Sequence, residues 1–142
     1  PDVLVFKSDT VKPELMDEAD WYEVDVITCA APNLREKPSN AFNTGDGKDA
    51  IKITDKDLLA IHEKRLLRIL DVALSNKVET IVLGAFGCGA FMNNPNVVAL
   101  ASKNVVNEYL YAFKNIEFAV YCSPKDDTNY RIFDGVLKPY TK

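Results

Sequence analysis

The stretch from Ile81 to Pro95, with the sequence IVLGAFGCGAFMNNP, constrains the fold more than any other part of the chain. It begins with apolar residues typical of a buried strand, passes through three closely spaced glycines and ends in Asn94-Pro95, a typical helix start. Proteins of the α/β class present backbone N–H groups to anions where a strand turns through glycines into a helix. We therefore predict a cradle for a phosphate or diphosphate, with an ordinary tight turn as the alternative.

Two common phosphate-binding motifs do not fit this stretch. A P-loop requires Lys and then Ser or Thr after its last glycine, where this chain has Ala90 and Phe91. The dinucleotide fingerprint requires a glycine three positions after Gly89, where this chain has Met92. The loop therefore belongs to neither class.

The composition favours one folded domain over residues 1–142. That length supports a hydrophobic core, and an apolar content of 47% argues against disorder. With 17 basic and 21 acidic residues the net charge is −4, which argues against a direct nucleic-acid partner. An anion pocket built from backbone N–H groups remains compatible with that charge.

Location and metal binding follow from what the sequence contains. It has neither an apolar stretch of membrane-spanning length nor a secretory signal, so we predict a cytoplasmic protein with no membrane partner. The three cysteines have no C-x-x-C spacing and are predicted to be reduced thiols. Since His62 is the only histidine, we predict no metal site, and no cofactor is indicated.

Hydrophobic patterns predict alternating strands and helices. Val24–Ala31 is almost continuously apolar, which is typical of a strand buried on both faces. Thr54 is a good N-cap for an amphipathic helix whose inward stripe consists of Leu59, His62, Leu66, Ile69 and Ala73. His62 is interpreted as a half-buried structural histidine, with a catalytic role as the alternative. The remaining predicted elements are strands at Val3–Phe6, Ile81–Ala85 and Ile116–Cys122, a helix capped by Asn94, and a helix starting near Asp126 or Asp127.

This order predicts a mostly parallel sheet covered by helices on both sides. Ligands in such sheets lie beyond the carboxyl ends of the strands, here at residues 31–33, 84–91 and 122–124. The polar stretch from Asn33 to Lys52 is either a functional flap or disordered, with Phe42 as its possible anchor.

Three segments together resemble a known family. Leu83–Phe91 resembles the G-x-W/F-G-C-G-x-F loop of poly(ADP-ribose) glycohydrolases, especially the microbial type. Val24–Asn33 resembles the strand ending in "APN" that precedes this loop, and Pro1–Phe6 resembles the "PDV-VF" segment upstream of both. The resemblance implies a macrodomain, a three-layer α/β/α sandwich that binds ADP-ribose. It covers the C-terminal part of the family pattern, so we expect the fold to be incomplete at its N-terminal side.

The resemblance also implies ligand-binding residues and partners. Backbone N–H groups between Gly87 and Ala90 would hold the diphosphate, and Phe91 would pack against the distal ribose. The partner would be ADP-ribose or an ADP-ribosylated protein, and the chain would self-associate or pair with a missing N-terminal segment. The implied loop residues are Gly84, Phe86, Gly87, Cys88, Gly89, Ala90 and Phe91, and those of the possible adenine side are Asn33, Ser123, Asn129 and Tyr130.

The chain lacks the catalytic part of the family pattern. Glycosidic cleavage in these enzymes depends on a Gly-Gly-Gly loop followed by Gln-Glu-Glu, in which a glutamate acts as the acid. This sequence has no adjacent glycines, no adjacent glutamates and no glutamine. The resemblance therefore assigns no catalytic residue here and would place the catalytic half upstream of Pro1.

Three hypotheses about function stay open. The chain is part of an ADP-ribosyl glycohydrolase, or it is a module that binds ADP-ribose or a related nucleotide without hydrolysing it. The third hypothesis, independent of any family, makes Cys88 a nucleophile whose pKa is lowered by the following helix N-terminus.

Overall fold

The computed structural model describes residues 1–35 and 52–138, which form a mixed α/β fold. The predicted loop from Asn33 to Lys52, with its possible anchor Phe42, lies almost wholly outside the described residues. The strands are β1 (Val3–Val5), β2 (Tyr22–Val24), β3 (Thr80–Gly84) and β4 (Asn115–Ala119), and the helices are α1 (Asp55–Ser75), α2 (Pro95–Tyr109) and α3 (Thr128–Leu137).

Side-chain caps begin the two longer helices at the predicted residues. The Asp57 amide donates to Thr54 Oγ1 at 3.1 Å, which satisfies one of the unpaired N–H groups at the start of α1. The Asn96 amide donates to Asn94 Oδ1 at 3.1 Å, and Pro95 occupies the first position of α2. Both predicted helix starts are confirmed.

The core lies where the helices pack on each other and on β3 and β4. α1 and α2 enclose one apolar cluster with Ile81 of β3, and Val105 of α2 belongs to it. A second cluster joins α2 to α3 through Val98 and Phe133. The predicted stripe of α1 is shifted by one residue at two positions, because Leu58 and Leu70 are buried where Leu59 and Ile69 are partly exposed.

The strands form two separate pairs within the described residues. β3 and β4 pair in parallel from Thr80 opposite Asn115 to Gly84 opposite Ala119. β1 and β2 pair antiparallel, with Val3 opposite Val24. The predicted parallel arrangement is therefore confirmed for β3 and β4 only, and the sheet is smaller than the sequence pattern indicates.

The predicted strand from Val24 to Ala31 is wrong in its extent and its burial. β2 ends at Val24, and residues 25–31 follow without any strand pairing. Val26 is 56% exposed and Ile27 41% exposed, although an apolar run of this kind is typical of strands covered on both faces. The physical reason is the lack of a neighbour, because no described strand lies beside this segment to complete its backbone hydrogen bonds.

The remaining differences concern element ends. β4 ends at Ala119, three residues before the predicted Cys122, and α3 begins at Thr128, just after the predicted Asp126 or Asp127. Among the described residues, no helix combines the length and apolar character that crossing a membrane requires. The same residues contain no group of three or more side chains suited to holding a metal ion.

Candidate functional site

The glycine-rich loop continues directly from the carboxyl end of β3. Two tight turns start it: the Phe86 amide donates to the Gly84 carbonyl at 2.8 Å, and the Cys88 amide donates to the Ala85 carbonyl at 3.0 Å. Gly87 has a φ of +81°, and a Cβ there would lie 2.6 Å from Ala31 Cβ. Only glycine fits this position, because both its backbone conformation and the space around it exclude a side chain.

Several amides of the loop have no hydrogen-bond partner among the described residues. They belong to Gly87, Gly89, Ala90 and Phe91. Gly89 and Ala90 are exposed, and a Cβ on Gly89 would meet nothing within 4 Å. The loop therefore presents open N–H groups just before the N-terminus of α2, an arrangement that binds anions.

The hydrogen bonding of the Cys88 amide and the pKa of the Cys88 thiol both differ from what the sequence predicts. Its amide is used in the turn with Ala85, so of the four N–H groups that the resemblance assigns to a diphosphate, three remain unpaired. Burial raises the pKa of the Cys88 thiol to about 11, the opposite of the lowering that a nucleophile requires. The Cys88 thiol therefore does not have the lowered pKa on which the nucleophile hypothesis depends.

A buried histidine–asparagine pair lies behind the loop. His62 of α1 is 0% exposed, and its Nε2 lies 2.9 Å from Asn93 Oδ1. Its ring packs edge-on against Phe86, with ring centroids 5.6 Å apart. His62 is therefore buried more deeply than the half-buried structural histidine that the helix pattern predicts. Asn93 was not singled out from the sequence.

Asn93 connects both ends of the loop to a third segment. Its Nδ2 lies 2.7 Å from the Pro32 carbonyl oxygen, 3.0 Å from that of Gly87 and 3.2 Å from that of Phe91. Asn93 is 2% exposed, so this amide is shielded from water. The sequence signal for Asn93 is its position directly before the helix cap Asn94. That position does not indicate which distant carbonyl groups Asn93 will contact.

Residues 32–35 run alongside the far end of the loop. The Leu34 amide donates to the Phe91 carbonyl at 2.9 Å. Arg35 Nε donates to Asn33 Oδ1 at 3.0 Å, and the Arg35 Cζ lies 5.6 Å from the centre of the Phe91 ring. This stacking brings a positive charge to the edge of the loop. Arg35 was missed because its position next to Phe91 arises from the fold alone.

The other predicted residues, of the possible adenine side, lie near α3. Ser123 closes a tight turn with Asp126, and its amide donates to the Asp126 carbonyl at 2.8 Å. Asn129 is half-buried in the first turn of α3, and Tyr130 is 48% exposed. Tyr130 lines a cavity of about 380 Å³ between α3 and β4, and no loop residue lines that cavity.

Comparisons with known proteins give structural matches only. No family model matches the sequence. A comparison with curated proteins also gives no match.

The structural matches are crystal structures of poly(ADP-ribose) glycohydrolase from Deinococcus radiodurans. One, in complex with ADP-ribose, is 27% identical with a TM-score of 0.77 and covers 99% of this chain and 52% of that chain. A second ADP-ribose complex has a TM-score of 0.70 at 27% identity, covering 98% of this chain and 51% of that chain. The apo form has a TM-score of 0.68 at 27% identity, covering 99% and 52%. This chain thus spans about half the length of the proteins it matches.

Proposed function

We propose that this chain, which is related in structure to poly(ADP-ribose) glycohydrolase and shares its macrodomain-like fold, is an ADP-ribose-binding module. The observation that carries the proposal is the set of unpaired loop amides between the end of β3 and the start of α2. Backbone N–H groups at this point of an α/β fold are suited to a diphosphate. The ligand is ADP-ribose, either free or carried by a modified protein.

The proposed arrangement places the diphosphate on the amides of Gly87, Gly89 and Ala90. The half-buried ring of Phe91 would pack against the distal ribose, and Arg35 would add positive charge at that end. Gly84 and Phe86 shape the start of the loop. The adenine would lie toward Ser123, Asn129 and Tyr130. Asn33, which was assigned to the same side, accepts from Arg35 beside Phe91 and would instead lie nearer the distal ribose.

Calorimetry with ADP-ribose, ADP and NAD tests this function. We expect heat of binding with ADP-ribose for the natural sequence and at least about a ten-fold weaker affinity for Gly89→Glu, because a carboxylate would occupy the anion position. Gly89→Gln is the matched control, since it adds a side chain of similar size without the charge, and the space at Gly89 accepts both. Equal affinities of the two variants, or no binding of any ligand by the natural sequence, would contradict the proposal.

We further propose that this chain alone binds the ligand without cleaving it. Hydrolysis of a glycosidic bond requires a group that protonates the leaving oxygen, and the family's Gln-Glu-Glu sequence is absent from these 142 residues. A protonated carboxyl group from outside these residues would supply that proton. Release of ADP-ribose from poly(ADP-ribose) by the purified chain would contradict this, whereas binding without release is expected.

The open segment at residues 25–31 is the proposed contact with a second polypeptide. It borders a cavity of about 500 Å³ whose other wall is α1, where Lys64, Arg65 and Arg68 contribute positive charge. Arg65 Nη1 is buried and has no hydrogen-bond partner among the described residues. Such a buried donor is costly unless an acceptor reaches it.

We propose that a β-strand carrying carboxylate side chains fills this cavity. The backbone of residues 25–31 offers it an unpaired edge, and the three cations offer it charge complementarity. The matched glycohydrolase has about as much chain again outside the region that this protein covers, which is a source for such a strand. A second copy of this chain is the competing occupant.

The free thiols Cys29, Cys88 and Cys122 suit a reducing compartment, and we propose that the protein lies in the cytoplasm.

A further inference from the structure

The strongest unassigned feature of the described residues is the buried pair of His62 and Asn93. Neither side chain is open to solvent, so neither can contact the proposed ligand directly. Their hydrogen bonds nevertheless end on the backbone of the loop whose amides would bind it. We infer that His62, acting through Asn93, is a positioning residue that sets the loop conformation required for ADP-ribose. This inference rests on the proposed function and adds the residues that control it.

The acceptors around Asn93 determine which way its amide group points. Three carbonyl oxygens, from Pro32, Gly87 and Phe91, lie within 3.2 Å of one terminal atom of the side chain. That atom must be the nitrogen, because an oxygen there would face three other acceptors. The Asn93 oxygen therefore points toward His62.

The orientation of Asn93 in turn determines which ring nitrogen of His62 carries the proton. Since Asn93 Oδ1 can only accept, His62 Nε2 carries the proton and donates across the 2.9 Å contact. The other ring nitrogen, Nδ1, is buried without a hydrogen-bond partner among the described residues. A neutral ring with its proton on Nε2 fits this environment, since a proton on Nδ1 would lack an acceptor.

The pair acts on the two ends of the loop together. Gly87 carries the left-handed backbone at its start, and its carbonyl accepts from both the amide and the side chain of Asn93. Phe91 lies at its end, and its carbonyl accepts from Asn93 Nδ2 and from the Leu34 amide. The unpaired amides of Gly89 and Ala90 lie between these fixed points, so their direction depends on both.

His62 contributes by keeping Asn93 in this orientation. Without a donor at the His62 position, Asn93 Oδ1 would be buried and unsatisfied, and rotation of the side chain would release the three carbonyls. The loop would then have more conformations available, and the ligand would bear the cost of ordering it.

A set of four variants tests this inference by calorimetry with ADP-ribose. His62→Leu removes the donor and Asn93→Asp removes the N–H groups, and we expect each to weaken binding by about ten-fold or more. His62→Gln retains a terminal N–H at a similar reach and is expected to restore most of the affinity. Leu70→Val is the matched control, because it disturbs a fully buried residue of the same helix in the cluster between α1, α2 and β3. It should lower stability without changing affinity.

Two NMR measurements separate this inference from the proposed function. The imidazole nitrogen shifts of the natural protein should show a neutral ring protonated at Nε2, and protonation at Nδ1 would overturn the inference even if ADP-ribose binds. Amide hydrogen exchange should be faster at Cys88, Met92 and Asn93 in His62→Leu than in His62→Gln. This readout needs no ligand, so failure of the natural protein to bind contradicts the proposed function alone. Equal exchange and equal affinity in both His62 variants would overturn the positioning role.

Discussion

At the scale of single residues, the glycine-rich loop contains one position that excludes any side chain and, close to it, another position that accepts one. Gly87 is enclosed by Ala31 and Asn93 and has a positive φ, whereas Gly89 faces open space. Only Cys88 separates the two glycines, and the sequence does not distinguish their roles. Because they differ only in their surroundings, alanine substitutions at the two positions can be compared directly.

We predict that Gly87→Ala lowers the free energy of unfolding by about 2 kcal/mol or more, because it combines a left-handed backbone with a close contact. Gly89→Ala is expected to change it by less than about 0.5 kcal/mol. Urea unfolding of both variants measures this difference. Similar midpoints for the two would contradict the structure of the loop.

His62 makes a second prediction at this scale, concerning pH. Burial lowers the pKa of His62 below its ordinary value of 6.5, opposed by the hydrogen bond to Asn93 and assisted by the nearby charge of Arg65. Below pH 6.5 the unfolded chain therefore takes up a proton that the folded protein does not bind, and stability falls as the pH falls.

The pH dependence of the free energy of unfolding from this one group is at most about 1.4 kcal/mol per pH unit, and it fades over about one pH unit above 6.5. Chemical denaturation at pH 7.5, 6.5 and 5.5 measures it, with His62→Gln as the control that lacks a titrating ring. Parallel pH profiles for the two proteins would show that His62 is not responsible.

At the scale of elements, α2 links the loop to both core clusters. Its N-cap, Asn94, directly follows Asn93, and its buried residues contact α1 on one side and α3 on the other. A Tyr109 hydroxyl that donates to Asp71 Oδ1 at 2.6 Å further connects α2 to α1. The start of this helix and the end of the loop are therefore held by the same few residues.

We expect Asn94→Ala to destabilise the protein by about 1 kcal/mol, because the Asn96 amide loses its side-chain acceptor. Asn96→Ala is the matched control two residues away: it keeps that backbone donor, removes only the exposed contact of the Asn96 side chain with Asn94 Oδ1, and should cost less than about 0.5 kcal/mol. Thermal unfolding at one pH measures the loss of stability in each of the two variants. A larger loss for Asn96→Ala would contradict the role of Asn94 as the cap.

At the scale of the whole molecule, the open segment at residues 25–31 and its charged cavity are the features on which the proposed strand contact rests. Apolar residues such as Val26 and Ile27 stand exposed beside Lys64, Arg65 and Arg68 of α1. Exposed apolar residues next to an unpaired backbone edge are typical of a surface that another strand covers. The matched glycohydrolase, at about twice the length, has additional chain available for that purpose.

Two synthetic seven-residue peptides, with Val alternating with Glu or with Lys, test the proposed strand. We expect the Glu peptide to shift the backbone NMR signals of residues 26–29 and the Lys peptide to have little effect. Arg68→Gln should weaken the effect of the Glu peptide, since one cation of the cavity is lost. Two results would contradict an acidic strand as the occupant. One is no shift with either peptide, and the other is a dimer in sedimentation velocity whose formation shifts the NMR signals of residues 26–29.

The sequence alone determined the local features of this protein. The caps of α1 and α2, the end of β3 in a glycine-rich loop and the place of His62 on the inward stripe of α1 each follow from hydrogen bonds or periodicity within a few residues. The tertiary structure alone decided the contact of Asn93 with Pro32, the stacking of Arg35 on Phe91 and the exposure of residues 25–31. These depend on which distant segments face each other, and an apolar strand pattern cannot say whether a neighbouring strand is present to cover it.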